Sequence, residues 1–90
     1  MERKSTLKVS IRQIKAARAL LGWSQEDLAG EADVSIPTIK RLEASDGLLG
    51  GRTETAEKIV MALTSAGIEF INESGGGSGV RLRKPPKQKR

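Results

Sequence analysis

The sequence contains no cysteine and no histidine, and its aromatic residues are limited to Trp23 and Phe70. Without thiol or imidazole groups it offers no disulfide framework, no cysteine or histidine metal site and no nucleophile paired with histidine. The acids Glu26, Asp27 and Glu31 have no Gly-rich phosphate loop to accompany them. We therefore expect no catalytic residues, no metal and no cofactor, and a protein that is not an enzyme.

Long apolar runs are also missing. No stretch approaches the ~18 residues that a membrane span needs, and the first residues lack the apolar segment of a signal peptide. These absences predict a cytoplasmic protein without a membrane partner.

In 90 residues with two aromatics, only a small aliphatic core can form, which favours packed helices over a sandwich or barrel.

The charges are unevenly distributed along the chain. Six basic residues and no acid lie within 80–90, and six basic residues face a single acid within 1–18. Residues 24–57 carry three basic residues and eight acids. Basic ends around an acidic middle suit a polyanionic partner, although two solvated ends that keep the protein soluble would look the same.

Capping signals divide most of the chain into four predicted helices. Gln13, three residues after a serine, completes a capping-box pattern for a helix over 11–21 that Gly22 ends. A second helix ends near residue 32, a third has Pro37 in its first turn, and Gly67 ends the fourth. The predicted N-caps are Ser10, Ser24, Ser35 and Thr53.

After Gly67 the apolar period changes from 3.6 to 2. Alternation over Ile68–Ile71 and Val80–Arg83, separated by the Gly-rich connector 72–79, predicts a β-hairpin. We therefore predict a flexible N-terminus over 1–9, a helical domain over 10–66, a hairpin over 67–84 and a disordered basic tail over 85–90.

The second and third predicted helices are joined by a very short connection. This spacing fits a helix-turn-helix, in which the second helix enters the DNA major groove, but it also fits an ordinary helical corner. Residue types at fixed offsets across both helices favour the former. They are Gln25, Leu28, Ala29, Asp33, Val34, Ser35, Ile39 and Glu43.

In this register the residues closely resemble the helix-turn-helix of the Cro/phage-repressor-like (XRE-type) family. The segment 17–24 is similar to the family's first helix and junction, and the resemblance spans about 10–66. One departure is Asp33 in the turn, where the family usually has Gly; Asp tolerates the left-handed conformation better than most residues.

The resemblance implies a mostly α fold of four to five helices, followed here by the short hairpin. It also implies a small bacterial or phage-type transcription regulator that binds double-stranded DNA as a homodimer on an inverted repeat. RNA polymerase or another regulator is a further candidate partner, and repression and activation both stay open. The alternative is a protein-interaction module, antitoxin-like or an anti-activator, that uses the helix-turn-helix as a scaffold.

A helical wheel places two opposite charges on inward faces. Arg18 falls within about 40° of Ile14, and Glu43 lies about 40° from Ile39. Each charge alone would be costly near the core. We therefore predict a partly buried ion pair between Arg18 and Glu43, a pairing that the family resemblance also implies; two separately snorkelling side chains are the alternative.

The outward face of the third helix supplies the predicted DNA contacts. Arg41 or Lys40 can reach guanine, and Thr38 can reach a base or a phosphate. Gln25, at the start of the second helix, is expected to hold a phosphate, as the resemblance implies. The predicted DNA-binding residues are Gln25, Ser35, Ile36, Pro37, Thr38, Lys40 and Arg41.

The hairpin is the predicted dimerisation element, because its outer edge would leave N–H and C=O groups unpaired. The segments 67–71 and 79–83 also resemble the ending of small bacterial regulators of the family. The alternatives are a hairpin that only covers its own core and a dimer made by the fourth helix. The predicted dimerisation residues are Ile68, Phe70, Val80 and Leu82.

Overall fold

The computed structural model describes residues 8–72 and 76–83. The predicted mostly helical fold with a C-terminal hairpin is confirmed. The predicted tail over 85–90, and all but the last two residues of the segment 1–9, lie outside the described residues. In chain order the elements are α1 (Ile11–Leu21), α2 (Gln25–Ala32), α3 (Ile36–Glu43), α4 (Thr53–Ser65), β1 (Ile68–Ile71) and β2 (Gly79–Leu82).

Serine hydroxyls begin the first three helices, as predicted. Each accepts a hydrogen bond from the backbone N–H three residues later, at Gln13, Asp27 and Thr38. The predicted Thr53 cap is wrong by one position, because Arg52 is the extended N-cap residue and makes no side-chain capping bond. Thr53 already lies in the first turn, and Glu54 beside it places a negative charge near the positive end of the helix dipole.

The turn between α2 and α3 is made by Asp33, which adopts the left-handed conformation with φ 59° and ψ 48°. The next N–H, that of Val34, donates to Ala29 O at 3.0 Å and so satisfies a carbonyl at the end of α2. Ser35 then begins α3. Asp therefore serves where glycine is the usual residue for such a conformation.

A single aliphatic core joins all four helices and β1. Val9, which falls within the segment 1–9 that the sequence predicts to be flexible, is only 2% exposed. Val9 is held there because its carbonyl accepts from Leu49 N at 2.8 Å and its side chain joins the core. The fully buried large side chains are Ile11, Ile14, Leu28, Ile39, Ile59, Leu63 and Ile68.

The two strands pair antiparallel, with Ile68 opposite Leu82 and Phe70 opposite Val80. These four apolar residues share one face, which packs against the core. The opposite face carries Glu69, whose carboxylate lies 3.3 Å from Arg81 Nε. β2 begins and ends one residue earlier than the predicted Val80–Arg83. The hairpin thus covers one side of the core, with β1 packed against α4 and β2 packed against α1.

Within residues 8–72 and 76–83, no helix has the length and hydropathy needed to cross a membrane.

Candidate nucleic-acid interface

Helix α3 is amphipathic, with Ile39 and Leu42 buried on its inner side. Pro37, Lys40 and Arg41 are exposed on the other side. Since α2 and the three-residue turn hold α3 from one side and α1 contacts it from another, the exposed side is the one that a flat or grooved partner can reach.

The start of α3 is more constrained than its middle. Ser35 Oγ accepts from Thr38 N at 3.3 Å and also donates to Thr38 Oγ1 at 2.8 Å, so the two hydroxyls are engaged with each other. Thr38 is half-buried, whereas Ser35 is exposed. Ile36 is 37% exposed and lies beside a depression between α2 and α3.

The charges on α3 and α2 differ in sign. α3 exposes Lys40 and Arg41, while its acid, Glu43, is 4% exposed and turned inward. α2 exposes three acids, Glu26, Asp27 and Glu31. The outer side of α3 is therefore positive, whereas the adjoining side of α2 is negative.

Arg18 and Glu43 form a bidentate ion pair between α1 and α3. Arg18 Nε donates to Glu43 Oε2 and Nη2 donates to Oε1, both at 2.8 Å. The third nitrogen, Nη1, donates to the carbonyl of Trp23 at 2.8 Å, which fixes the junction between α1 and α2. One guanidinium therefore connects three parts of the helical domain.

Gln25 adds a fourth connection to this network. Its Nε2 donates to Glu43 Oε1 at 3.0 Å, so the first residue of α2 is tied to the last residue of α3. The sequence predicts only that Gln25 binds a DNA phosphate. The structure uses one amide hydrogen of the half-buried side chain for the ion pair, which leaves the second hydrogen for another acceptor.

The hydrogen bonds change the protonation behaviour of both partners. Burial raises the pKa of Glu43, but the hydrogen bonds from Arg18 and Gln25 and the positive charges of Arg18 and Lys15 outweigh it, and the pKa lies below its ordinary value. The hydrogen bond to Glu43 raises the pKa of Arg18 despite desolvation. Both effects favour the charged pair at neutral pH.

The four predicted dimerisation residues come together, but their side chains are turned toward the chain's own core. Ile68 is 1% exposed, and Phe70, Val80 and Leu82 are half-buried against the core. What the hairpin presents outward is its backbone edges and the charged face around Glu69 and Arg81. Within the two described strands, these outward groups are the ones that a second copy can pair with.

Gln13 has a role that the sequence pattern does not predict. The pattern places it only in the capping box, yet its amide is buried and also contacts both strands of the hairpin. A signal was present, because Gln13 lies four residues before the buried Ala17 and so shares the inner face of α1.

Two helices at a tight turn, a basic exposed face on the second helix and a buried ion pair behind it define a helix-turn-helix DNA-binding domain. A family model described as Helix-turn-helix matches residues 14–63, which is more than half of the chain. The chain belongs to this family, and it is a DNA-binding regulator in the general sense that the family defines. The resemblance noted in the sequence is thereby confirmed. No curated protein matches the chain significantly.

Proposed function

We propose that the chain is a sequence-specific transcription regulator that binds an inverted-repeat operator as a homodimer. The observation that carries this proposal is the outer side of α3, where Lys40 and Arg41 are exposed while the acid of the same helix is buried and neutralised by Arg18. A regulator of this kind acts in the cytoplasm, by occluding RNA polymerase or by contacting it or another regulator.

Base recognition falls to the exposed residues of α3. Arg41 or Lys40 donates to the O6 and N7 atoms of guanine, and Pro37 packs against a thymine methyl. Thr38 contacts a base or a phosphate, although its hydroxyl is already engaged with Ser35. Ile36 and Ser35, at the start of α3, border this surface.

Gln25 and the N-terminus of α2 hold one phosphate. The free amide hydrogen of Gln25 and the backbone N–H groups of the first turn are suitable donors for an anion. Because Gln25 also donates to Glu43, the same side chain would fix the phosphate contact relative to α3. This contact positions the protein and carries no base information.

Dimerisation compensates for the weak electrostatic attraction of one domain. The exposed acids on α2 oppose the phosphate backbone, and one small domain makes few phosphate contacts, so its affinity for DNA at physiological salt is low. Two copies double those contacts, and two-fold symmetry matches an inverted repeat. The outward backbone edge of the hairpin is the proposed dimer contact; α4, which exposes Met61, is the alternative.

Selection of bound duplexes from a random DNA library tests the proposal. The full chain should enrich an inverted repeat at moderate salt, and a gel shift on the enriched duplex should weaken steeply as salt is raised. A library that stays unenriched at low salt would contradict DNA recognition. Enrichment of a single half-site would contradict the homodimer.

A protein-interaction module is the second candidate, and the acidic side of α2 favours it. Glu26, Asp27 and Glu31 are all exposed, and together they suit a basic protein partner. An unenriched library, with retention of a basic regulator that loses binding in a variant with all three acids changed to glutamine, would support this candidate over the first.

A further inference from the structure

Gln13 is buried, with only 5% of its surface exposed, and its side-chain amide makes three hydrogen bonds. Its Oε1 accepts from Ser10 N at 2.8 Å, which closes the capping box of α1. Its Nε2 donates to Gly79 O at 2.8 Å and to Ile71 O at 3.2 Å. Both donors are therefore used on the hairpin, and neither is left for a ligand.

These two carbonyls belong to one cross-strand pair of the hairpin, Ile71 and Gly79. This pair lies at the end of the strands that is farthest along the chain from α4. At the other end, the hairpin follows α4 directly through Gly67, whose φ of 114° is a conformation that favours glycine. The hairpin, roughly 13 Å long, is thus joined to α4 by the chain at one end and to α1 by Gln13 at the other, and its apolar face packs on the core between these points.

The same helix connects Gln13 to the DNA-binding surface. Gln13 lies in the first turn of α1, and Arg18, in its last turn, grips Glu43 of α3. Among the described residues, Gln13 and Glu43 are the buried polar residues; Gln13 belongs to α1, and Glu43 is bound to α1 through Arg18. A change in the angle between the hairpin and α1 would therefore change the angle between the hairpin and α3.

We propose that Gln13 is a positioning residue that sets the spacing between the two half-sites of the operator. The inference rests on the homodimer of the proposed function, joined through the hairpin. In such a dimer, the direction of the hairpin fixes how far apart the two copies of α3 lie, and this distance must match the helical repeat of DNA. A buried amide with three fixed partners holds that direction more sharply than apolar contacts alone.

Two substitutions separate the two functions of the amide. Gln13→Glu keeps an oxygen for the capping box, in which glutamate is as suitable as glutamine, but its carboxylate cannot donate to the two carbonyls. Ser10→Ala removes the capping hydroxyl and leaves the Gln13 donors intact. Gln13→Met, which has a similar length and no donor, provides a second variant if the glutamate variant does not fold. Ile59→Val in α4 lowers stability without touching the hairpin amide bonds.

The experiment measures binding of the full-length chain and each variant to duplexes in which the selected half-sites are separated by every spacing within three base pairs of the best one. The wild-type chain should prefer one spacing. Gln13→Glu and Gln13→Met should select the same half-site sequence while their preference for the best spacing over its neighbours falls about tenfold. Ser10→Ala and Ile59→Val should keep the wild-type preference. Hydrogen exchange without DNA should show loss of protection in β1 and β2 for the Gln13 variants.

The outcomes distinguish the two levels of inference. Unchanged spacing preference in both Gln13 variants, with a wild-type chain that prefers one spacing, would overturn the role of Gln13 and leave the dimeric regulator standing. A wild-type chain that binds all spacings equally, or a lone half-site, would overturn the dimer and the role of Gln13 together. Equal loss of preference in Ile59→Val would assign the effect to stability and overturn positioning.

Discussion

The guanidinium of Arg18 and the carboxylate of Glu43 lie side by side, with Nε to Oε2 and Nη2 to Oε1 both at 2.8 Å. The pair is largely shielded, since the side chains are 19% and 4% exposed. Paired geometry of this kind satisfies both charges where water cannot. Removal of one partner leaves the other charge without compensation, whereas removal of both does not.

A double-mutant cycle should therefore show strong coupling. Arg18→Met and Glu43→Gln should each lower the free energy of unfolding by about 3 kcal/mol. The double variant should lose less than the sum of the two, with a coupling energy of about 1–3 kcal/mol. Urea unfolding of the four proteins measures this energy. The exposed pair Arg12 and Asp46, 3.3 Å apart, is the matched control and should couple much more weakly than the shielded pair, because solvent screens both charges. Additive losses at Arg18 and Glu43 would show that the pair adds no stability.

The same pair predicts a pH dependence of stability. Because hydrogen bonds from Arg18 and Gln25 hold the pKa of Glu43 below its ordinary value of about 4.5, the native state binds fewer protons than the unfolded state in acid. The contribution of Glu43 is thus complete above the unfolded pKa and is lost as pH falls through the lower, folded pKa.

The difference in unfolding free energy between the wild-type chain and Glu43→Gln should accordingly be constant from pH 7 to about pH 5.5 and then decrease toward pH 2.5. Asp46, whose pKa is lowered by the Gly47 N–H and by Arg12, titrates in both proteins and cancels in the difference. A difference that grows as the pH falls would mean that burial dominates and that the folded pKa is raised.

The left-handed Asp33 predicts a stabilising substitution. Asp33→Gly should raise the free energy of unfolding by up to about 1 kcal/mol, because glycine adopts φ 59° without steric cost. The change also removes a negative charge from the C-terminal end of α2, where the helix dipole disfavours it. The exposed contact to Lys58, at 4.0 Å, contributes little. Thermal unfolding checks this, with Gly22→Ala, at φ 72°, as a control that should destabilise.

What the sequence predicts well is local. The serine caps, the end of α1 at Gly22 and the left-handed turn at Asp33 all depend on residues within four positions of one another. Hydrogen bonding between neighbours along the chain fixes these features before any tertiary contact forms. Helix bounds could therefore be read from the order of residue types, and the error at Thr53 is a single position.

What the sequence could not supply are contacts between distant residues. The Gln13 donors reach carbonyls 58 and 66 positions away, and Gln25 reaches Glu43 across two helices. Val9 looks like part of a polar terminus until Leu49 is placed beside it. Every residue has a backbone carbonyl, so residue types alone do not indicate which carbonyl a side-chain amide such as that of Gln13 will bind.

The exposed side of α3 and the start of α2 predict two different effects on DNA binding. Arg41→Ala should relax base discrimination by about 1–3 kcal/mol at one position of each half-site, because a bidentate contact to guanine is lost. Gln25→Ala should weaken binding to all sequences about equally, since it removes a phosphate contact. Competition between operator variants measures both. Glu31→Gln, on the exposed side of α2, is a charge control that should leave discrimination unchanged.

An unchanged base preference in Arg41→Ala would show that α3 meets DNA in another orientation. For Gln25→Ala, the unfolding midpoint must be measured beside the affinity, because this side chain also donates to Glu43. Loss of affinity at an unchanged folded fraction would assign the effect to the phosphate.

The backbone edges of the hairpin predict where a second copy attaches. Arg83 N donates to Gly67 O at 2.8 Å, so that pair and every second pair along the ladder exchange hydrogen bonds. The residues of the intervening pairs therefore direct their N–H and C=O groups away from the partner strand. Phe70 does so on the outer edge of β1 and Val80 on the outer edge of β2. Truncation after Gly67 would also remove the buried Ile68 from the core, so a change confined to one outward N–H is the sharper test.

A chain made by chemical ligation with N-methyl-phenylalanine at Phe70 keeps the side chain in the core and blocks the β1 edge. The same modification at Val80 blocks the β2 edge, so each protein is the control for the other. We expect one of them to sediment as a monomer and to lose affinity for the inverted repeat, while the other remains dimeric, because symmetric edge pairing uses one edge of each copy. Circular dichroism should be the same for both. If both proteins remain dimeric, the hairpin edge is not the dimer contact, and α4 with its exposed Met61 takes its place.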